Sequence, residues 1–156
     1  MDLNLLEHRR NKYSQGGQDG IIEYIFGVLK TKNGFFVEFG ALDGISFSNC
    51  HKLFEEGWSG VFIECDRKNF SKLRRNYKSY PGVVTINKYV RPKGKNSFDN
   101  IMETYAPHNT IDLLCIDVDG PDLEIFENIE RFLPTVAIIE GGKARTRLTV
   151  GCQAVV

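Results

Sequence analysis

Phe35-Phe36-Val37-Glu38-Phe39-Gly40-Ala41-Leu42-Asp43-Gly44 is the stretch whose reading decides the fold. Five residues, apolar but for one acid, run into a turn carrying two glycines. A short apolar run bounded by a turn reads as a buried strand. The glycines let the backbone turn tightly and let a ligand approach it closely.

The same punctuation recurs downstream. Val61–Ile63 reads as a second strand closed by Glu64, and Val83–Ile86, with a possible reach to Val90 expected, as a third with Asn87 behind it. Ile111–Ile116 is a fourth, ending in Asp117, and Thr135–Ile139 a fifth, followed by Glu140. Helical spacing fills the intervals. Ile21, Ile22, Ile25, Phe26 and Leu29 form one apolar face, with Asp19 as its expected cap and Asn33–Gly34 as its stop. Phe47, Leu53 and Phe54 form a second face, with Ser46 or Ser48 as cap; Phe70, Leu73 and Tyr77 form a third. Phe98, Ile101, Met102 and Tyr105 mark a fourth helix, and Leu123, Phe126 and Ile129 a fifth, broken by Pro134.

Strands alternating with helices, each strand a near-continuous apolar run, predict a mostly parallel sheet with helices on both faces. The expected class is α/β, a doubly wound Rossmann-like sheet, short at its C-terminus. The expected organisation is an N-terminal arm (1–19), one nucleoside-binding domain (20–140) and a short tail or edge strand (141–156).

Composition narrows the function. Lys+Arg and Asp+Glu each total 20 in 156 residues, so the formal charge is zero and gives no general attraction to nucleic acid or anionic membrane. The local basic run Lys72, Arg74, Arg75, Lys78 reads as a solvated helix face. Cys50, Cys65, Cys115 and Cys152 form no C-x-x-C pair, and reduced, buried thiols are expected. With no apolar run long enough to span a bilayer and a polar start at Met1–Lys12, a cytoplasmic protein is expected.

Ligands bind a doubly wound sheet at the carboxyl ends of its strands. Acids close four of the five strands here: Glu38 with Asp43, Glu64, Asp117 with Asp119, and Glu140. A dinucleotide site would present G-x-G-x-x-G and bare backbone N–H groups to a pyrophosphate. This turn lacks the middle glycine and carries acids, which suit a ligand with positive groups and no phosphate, such as S-adenosylmethionine with its sulfonium and ammonium. Glu64 is placed to accept ribose hydroxyls, and Asn87 to meet the adenine edge.

The segments Phe36–Gly44, Ser48-Asn49, Gly57–Glu64 and Asp112–Gly120, with Tyr13-Ser14-Gln15 and Gly17-Gln18-Asp19 upstream, resemble the FkbM-type branch of class I S-adenosylmethionine-dependent methyltransferases. The resemblance covers roughly residues 13–140. It implies O-methylation of a hydroxyl on a sugar or small natural product. By position it implies a cofactor site at Glu38, Gly40, Ala41, Asp43, Gly44, Asn49, Glu64, Cys65, Asn87 and Asp117. Glu38, Gly40 and Asp43 would line the methionine end, and Asp117 would sit by the sulfonium or the substrate.

Removing the hydroxyl proton needs a base. Asp119 is the first candidate, Asp117 the second, and His51 and His108 are expected to be structural. A divalent cation on Asp117, Asp119 and Glu140 is conceivable. Resembling enzymes often carry Asn two positions after Glu140, where this chain has Gly142, and no metal is expected. The resemblance also implies two strands after the fifth. Residues 141–156 suggest one, around Leu148–Val150, so a homodimer through an open sheet edge is an expected arrangement. The alternative reading is a non-catalytic or degenerate cofactor-binding module.

Overall fold

A computed structural model describes residues 4–106, 108–141 and 145–150. After a short 3-10 turn at Leu5–His8, the elements run α1 (Gln18–Leu29), β1 (Phe35–Phe39), α2 (His51–Glu55), β2 (Ser59–Ile63), α3 (Arg67–Tyr77), β3 (Val83–Ile86), α4 (Phe98–Tyr105), β4 (Leu113–Ile116), α5 (Asp122–Glu127), β5 (Val136–Gly141) and β6 (Arg145–Val150). The sheet order is β3-β2-β1-β4-β5-β6. Strands β1 to β5 are parallel; β6 returns antiparallel along β5. The expected doubly wound Rossmann-like sheet is therefore present. Its strand order reverses direction between β1 and β4, which is where such sheets open a crevice.

Every residue of β1 and β4 is buried, as two helix-covered faces require. Alternation divides the strands between two cores. Phe36, Phe62, Leu113, Cys115, Val136 and Ile138 pack beneath α1, α2 and α3 with Ile22, Ile25, Phe26, Leu53, Leu73 and Tyr77. Val37, Phe39, Val61, Ile63, Leu114, Ile116 and Ile139 pack beneath α4 and α5 with Phe98, Ile101, Met102 and Ile125. Each fully buried side chain of this size contributes about 1.5–3 kcal/mol.

Three local expectations are corrected. Asp19 does not cap α1: it lies inside the first turn, and its Oδ2 accepts from the backbone N–H of Lys12, Tyr13 and Ser14 at 2.7–2.8 Å. It therefore ties the lead-in segment down. Phe47 does not belong to the apolar face of α2; it precedes the helix, 57% exposed, at φ 62°. The helix starts late because Ser48 Oγ accepts from Cys50 N and His51 N. The N-cap position itself is Cys50, so Ser48 supports the helix start from two residues before it. Strand β3 stops at Ile86 and does not reach Val90.

Gly40 sets the geometry at the centre of the sheet. It has φ 77°, and a Cβ built there would overlap the Asp117 carbonyl. Strain and overlap act together, so Gly40→Ala is expected to cost about 3 kcal/mol or more. Gly120 faces open space, and Gly120→Ala should stay within about 0.5 kcal/mol. Urea unfolding of the two variants checks this, and equal effects would contradict it.

Candidate active site

The strand registers align the site. Phe39 lies opposite Ile63 and Ile116, and Ile116 opposite Ile139. One residue further, Glu64, Gly40, Asp117 and Glu140 form a single row across β2-β1-β4-β5. The bonds Gly40 N→Ile63 O and Asp117 N→Phe39 O, both 3.1 Å, carry the ladder into that row. Three carboxyl groups thus share the rim, with a glycine between Glu64 and Asp117.

Above this row lies a cleft of about 220 Å³. Phe39, Gly40 and Leu42 form one side, with Ile63, Glu64 and Cys65 from the end of β2. Lys88, Tyr89 and Val90, after β3, form a second wall, and Asp117, Val118 and Asp119, after β4, close it. Leu42 and Asp119 hold φ values of 51° and 55°, a left-handed conformation rare for such residues.

Glu64 is 4% exposed. Its Oε2 accepts from Leu42 N and its Oε1 from Asp66 N, both at 2.7 Å. It therefore joins the turn after β1 to the turn after β2. Each carboxylate oxygen keeps a second acceptor position. Asn87 Nδ2 donates to the carbonyls of Glu64 (2.7 Å) and Cys65 (3.1 Å), which fixes the β2 turn from the neighbouring strand. Cys65 is exposed, against the expectation of a buried thiol; Cys50 and Cys115 are buried. Cys152 and Gly142 lie outside the described residues.

Glu38 lies two rows below, opposite Phe62 and Cys115. It does not line the cleft. Ser48 Oγ donates to its Oε2 at 2.5 Å and Asn49 N to its Oε1 at 2.7 Å. Burial pushes this carboxyl up to about 7, against the pull of those bonds. Its visible role is to fasten the segment after the glycine turn. Asn49 Oδ1 is buried with no hydrogen-bond partner among the described residues. Asp43 accepts from Ile45 N and Ser46 N at 3.0 and 2.7 Å, again shaping the turn. Ala41 is buried among the residues beneath α1 to α3. Gly44 has φ 77°, and its carbonyl accepts from the Tyr77 hydroxyl at 2.6 Å.

That bond settles the role of His51. The hydroxyl proton of Tyr77 is engaged with Gly44, so His51 Nδ1, 2.6 Å away, donates. Burial lowers the His51 pKa, and the ring is a packed element outside the cleft. His108 is exposed and likewise outside it.

The pKa of Asp117 is raised, first by burial and then by a hydrogen bond with Glu140 and the charges of Glu140, Asp119 and Asp122. Asp122 is a residue that sequence reasoning missed. Buried at the start of α5, it accepts from Val118 N and Gly120 N, both at 2.8 Å, and so holds the Asp117–Gly120 turn. An acid just behind Gly120-Pro121 was the available signal. Lys88, Tyr89 and Val90 were missed too; their signal was their place directly behind Asn87.

No protein-family model and no curated protein matches the chain. Solved structures do. A protein from Staphylococcus aureus, named as a caffeoyl-CoA O-methyltransferase, is similar at TM-score 0.59 and 13% identity, over 85% of this chain and 60% of that one. The MccD protein is similar at TM-score 0.51 and 11% identity, over 75% of this chain and 50% of that one. A third is an S-adenosylmethionine-dependent methyltransferase from Thiobacillus denitrificans in complex with S-adenosylhomocysteine, at TM-score 0.45 and 14% identity, over 86% and 52%. The chain thus spans about half to three-fifths of these proteins' lengths. The likeness establishes the fold, an α/β Rossmann-like methyltransferase fold.

Glu38 gives this region a pH signature. Its native pKa of about 7 lies above the ordinary 4.5, so the folded state holds the proton more tightly than the unfolded chain. The stability this contributes is fully present below about pH 4.5 and is lost as pH rises through 7, in all about 3 kcal/mol. Urea unfolding between pH 4.5 and 8 should therefore show Glu38→Gln gaining on the parent by about that amount as pH rises. Parallel profiles would contradict the assignment.

Proposed function

We propose that the chain binds S-adenosylmethionine and transfers its methyl group to a hydroxyl of a sugar or another small molecule, as an FkbM-type enzyme. The observation that carries this reading is the charge of the cleft. Among the described residues, Glu64, Asp117 and Asp119 line it against a single cation, Lys88, at the switch point of the sheet. A pyrophosphate would meet carboxyl groups there. A ligand with a sulfonium and an ammonium would meet complementary ones.

The residues present fit that cofactor. The unused acceptor positions of Glu64 suit two ribose hydroxyls. Tyr89 and Val90 offer an apolar wall for a base. Gly40 leaves the middle of the rim open between Glu64 and Asp117. Asn49 Oδ1, a buried acceptor with no donor among the described residues, suits an ammonium near the glycine turn, with Glu38 and Asp43 holding that turn in shape. When bound, the cofactor supplies a methyl group on a positively charged sulfur.

The chain's own part is orientation and proton removal. Asp119, exposed at the mouth of the cleft, takes the proton released by the hydroxyl as its oxygen gains the methyl group. Asp117, beside it in the cleft, orients the acceptor through a hydrogen bond. Asp122 holds both in place through the turn between them. The acceptor's size is limited by the cleft, and its chemical class is set by the need for a removable proton.

Calorimetric titration tests the assignment. S-adenosylhomocysteine should bind and NAD should not. Glu64→Ala and the milder Glu64→Gln should each weaken that binding about tenfold or more, about 1.4 kcal/mol. Asp119→Asn should leave affinity nearly unchanged while lowering turnover about a hundredfold. NAD binding in place of S-adenosylhomocysteine would overturn the reading.

A further inference from the structure

At the opposite end of the sheet, before the amino ends of β1 and β2, lies a groove larger than the cleft, about 430 Å³. Its floor is apolar: Phe26 from α1, Leu53 from α2, and Trp58, whose ring meets Phe26 edge-on at 4.8 Å. Gly27 forms part of the wall. We propose that this groove is a binding site for a small amphipathic anion, an apolar body ending in one carboxylate or similar group.

Charge argues for the anion. Two acids and two lysines line the rim. The acids are already neutralised: Glu23 is bridged by Arg10 (3.1 Å) and Lys52 (3.0 Å), and Glu56 by Lys52 (2.6 Å). Lys30 and Lys32 have no ion pair among the described residues. Two uncompensated positive charges therefore stand over an apolar floor, and Debye screening will make their attraction salt-dependent.

Gly27 supplies an independent argument. A glycine within a helix costs about 1 kcal/mol relative to alanine. Here no neighbour requires it: a Cβ at Gly27 would meet nothing within 4 Å, and its φ is not in the left-handed region. Its visible effect is to leave the wall of the groove open. The volume falls in the range typical of small-ligand pockets, about 300–1,000 Å³. The groove shares no residue with the cleft, so this inference stands apart from the methyl-transfer reading.

Trp58 is the chain's one tryptophan, which makes it the reporter. Titration of the full chain with octanoate, followed by Trp58 fluorescence, should give a saturable change that weakens as salt rises. Octanamide, with the same body and no charge, should bind about tenfold more weakly or worse. Lys30→Glu combined with Lys32→Glu should raise the octanoate Kd by about tenfold or more. Gly27→Leu should abolish the response with the circular dichroism unchanged. Gly27→Ala, the gentler filling, should weaken binding and raise the thermal midpoint. No saturable response to octanoate, equal binding of octanamide, or an unaltered Kd in Gly27→Leu would each overturn the proposal.

Discussion

The contact between Gly40 and the Asp117 carbonyl is the constraint on which the site depends. Where β1 ends, the chain must turn while still bonded to its neighbours on both sides, and there is no room at that point for a side chain. Because β1 and β4 meet so closely, their ends and those of β2 and β5 fall in one row. That row places Glu64, Asp117 and Glu140 on a common rim. The cleft above it follows from the sheet topology, and its acidity from which residues the row contains.

Two kinds of carboxyl group serve this arrangement. Glu38, Asp43 and Asp122 face inward to backbone N–H groups and hold the loops, so their oxygens are largely engaged. Glu64, Asp117 and Asp119 face the cleft. The inner group gives the outer one fixed positions, and the left-handed residues Leu42 and Asp119 are kept in strained conformations by the turns so held. Burial, and after it the acids crowded at one rim, oppose the ionisation of Asp117 and raise its pKa.

The fold was legible because doubly buried strands leave an unmistakable trace: Phe35–Phe39 and Ile111–Ile116 are each apolar but for one acid, with no polar alternation. The site was legible only in part. Glu38 and Glu64 look equivalent in sequence, each an acid at a strand end. They differ by two positions in register, since Glu38 pairs with Phe62, and this puts Glu38 under the helices and Glu64 at the rim; register between strands cannot be read from either strand alone. Phe47 had helical spacing to Leu53 and Phe54, but a side-chain bond at Ser48 delayed the helix and left Phe47 in solvent. Asn87 was read as facing a base because it follows a strand; that its Nδ2 also bonds two neighbouring carbonyls was not legible.

A crystal structure with S-adenosylhomocysteine bound tests the central claim most directly. The ribose should rest on Glu64, the sulfur should lie above Gly40 toward Asp117, and Glu38 should keep its bonds to Ser48 and Asn49. A ligand seated elsewhere on the chain, or one that reaches Glu38 while leaving Glu64 untouched, would contradict it.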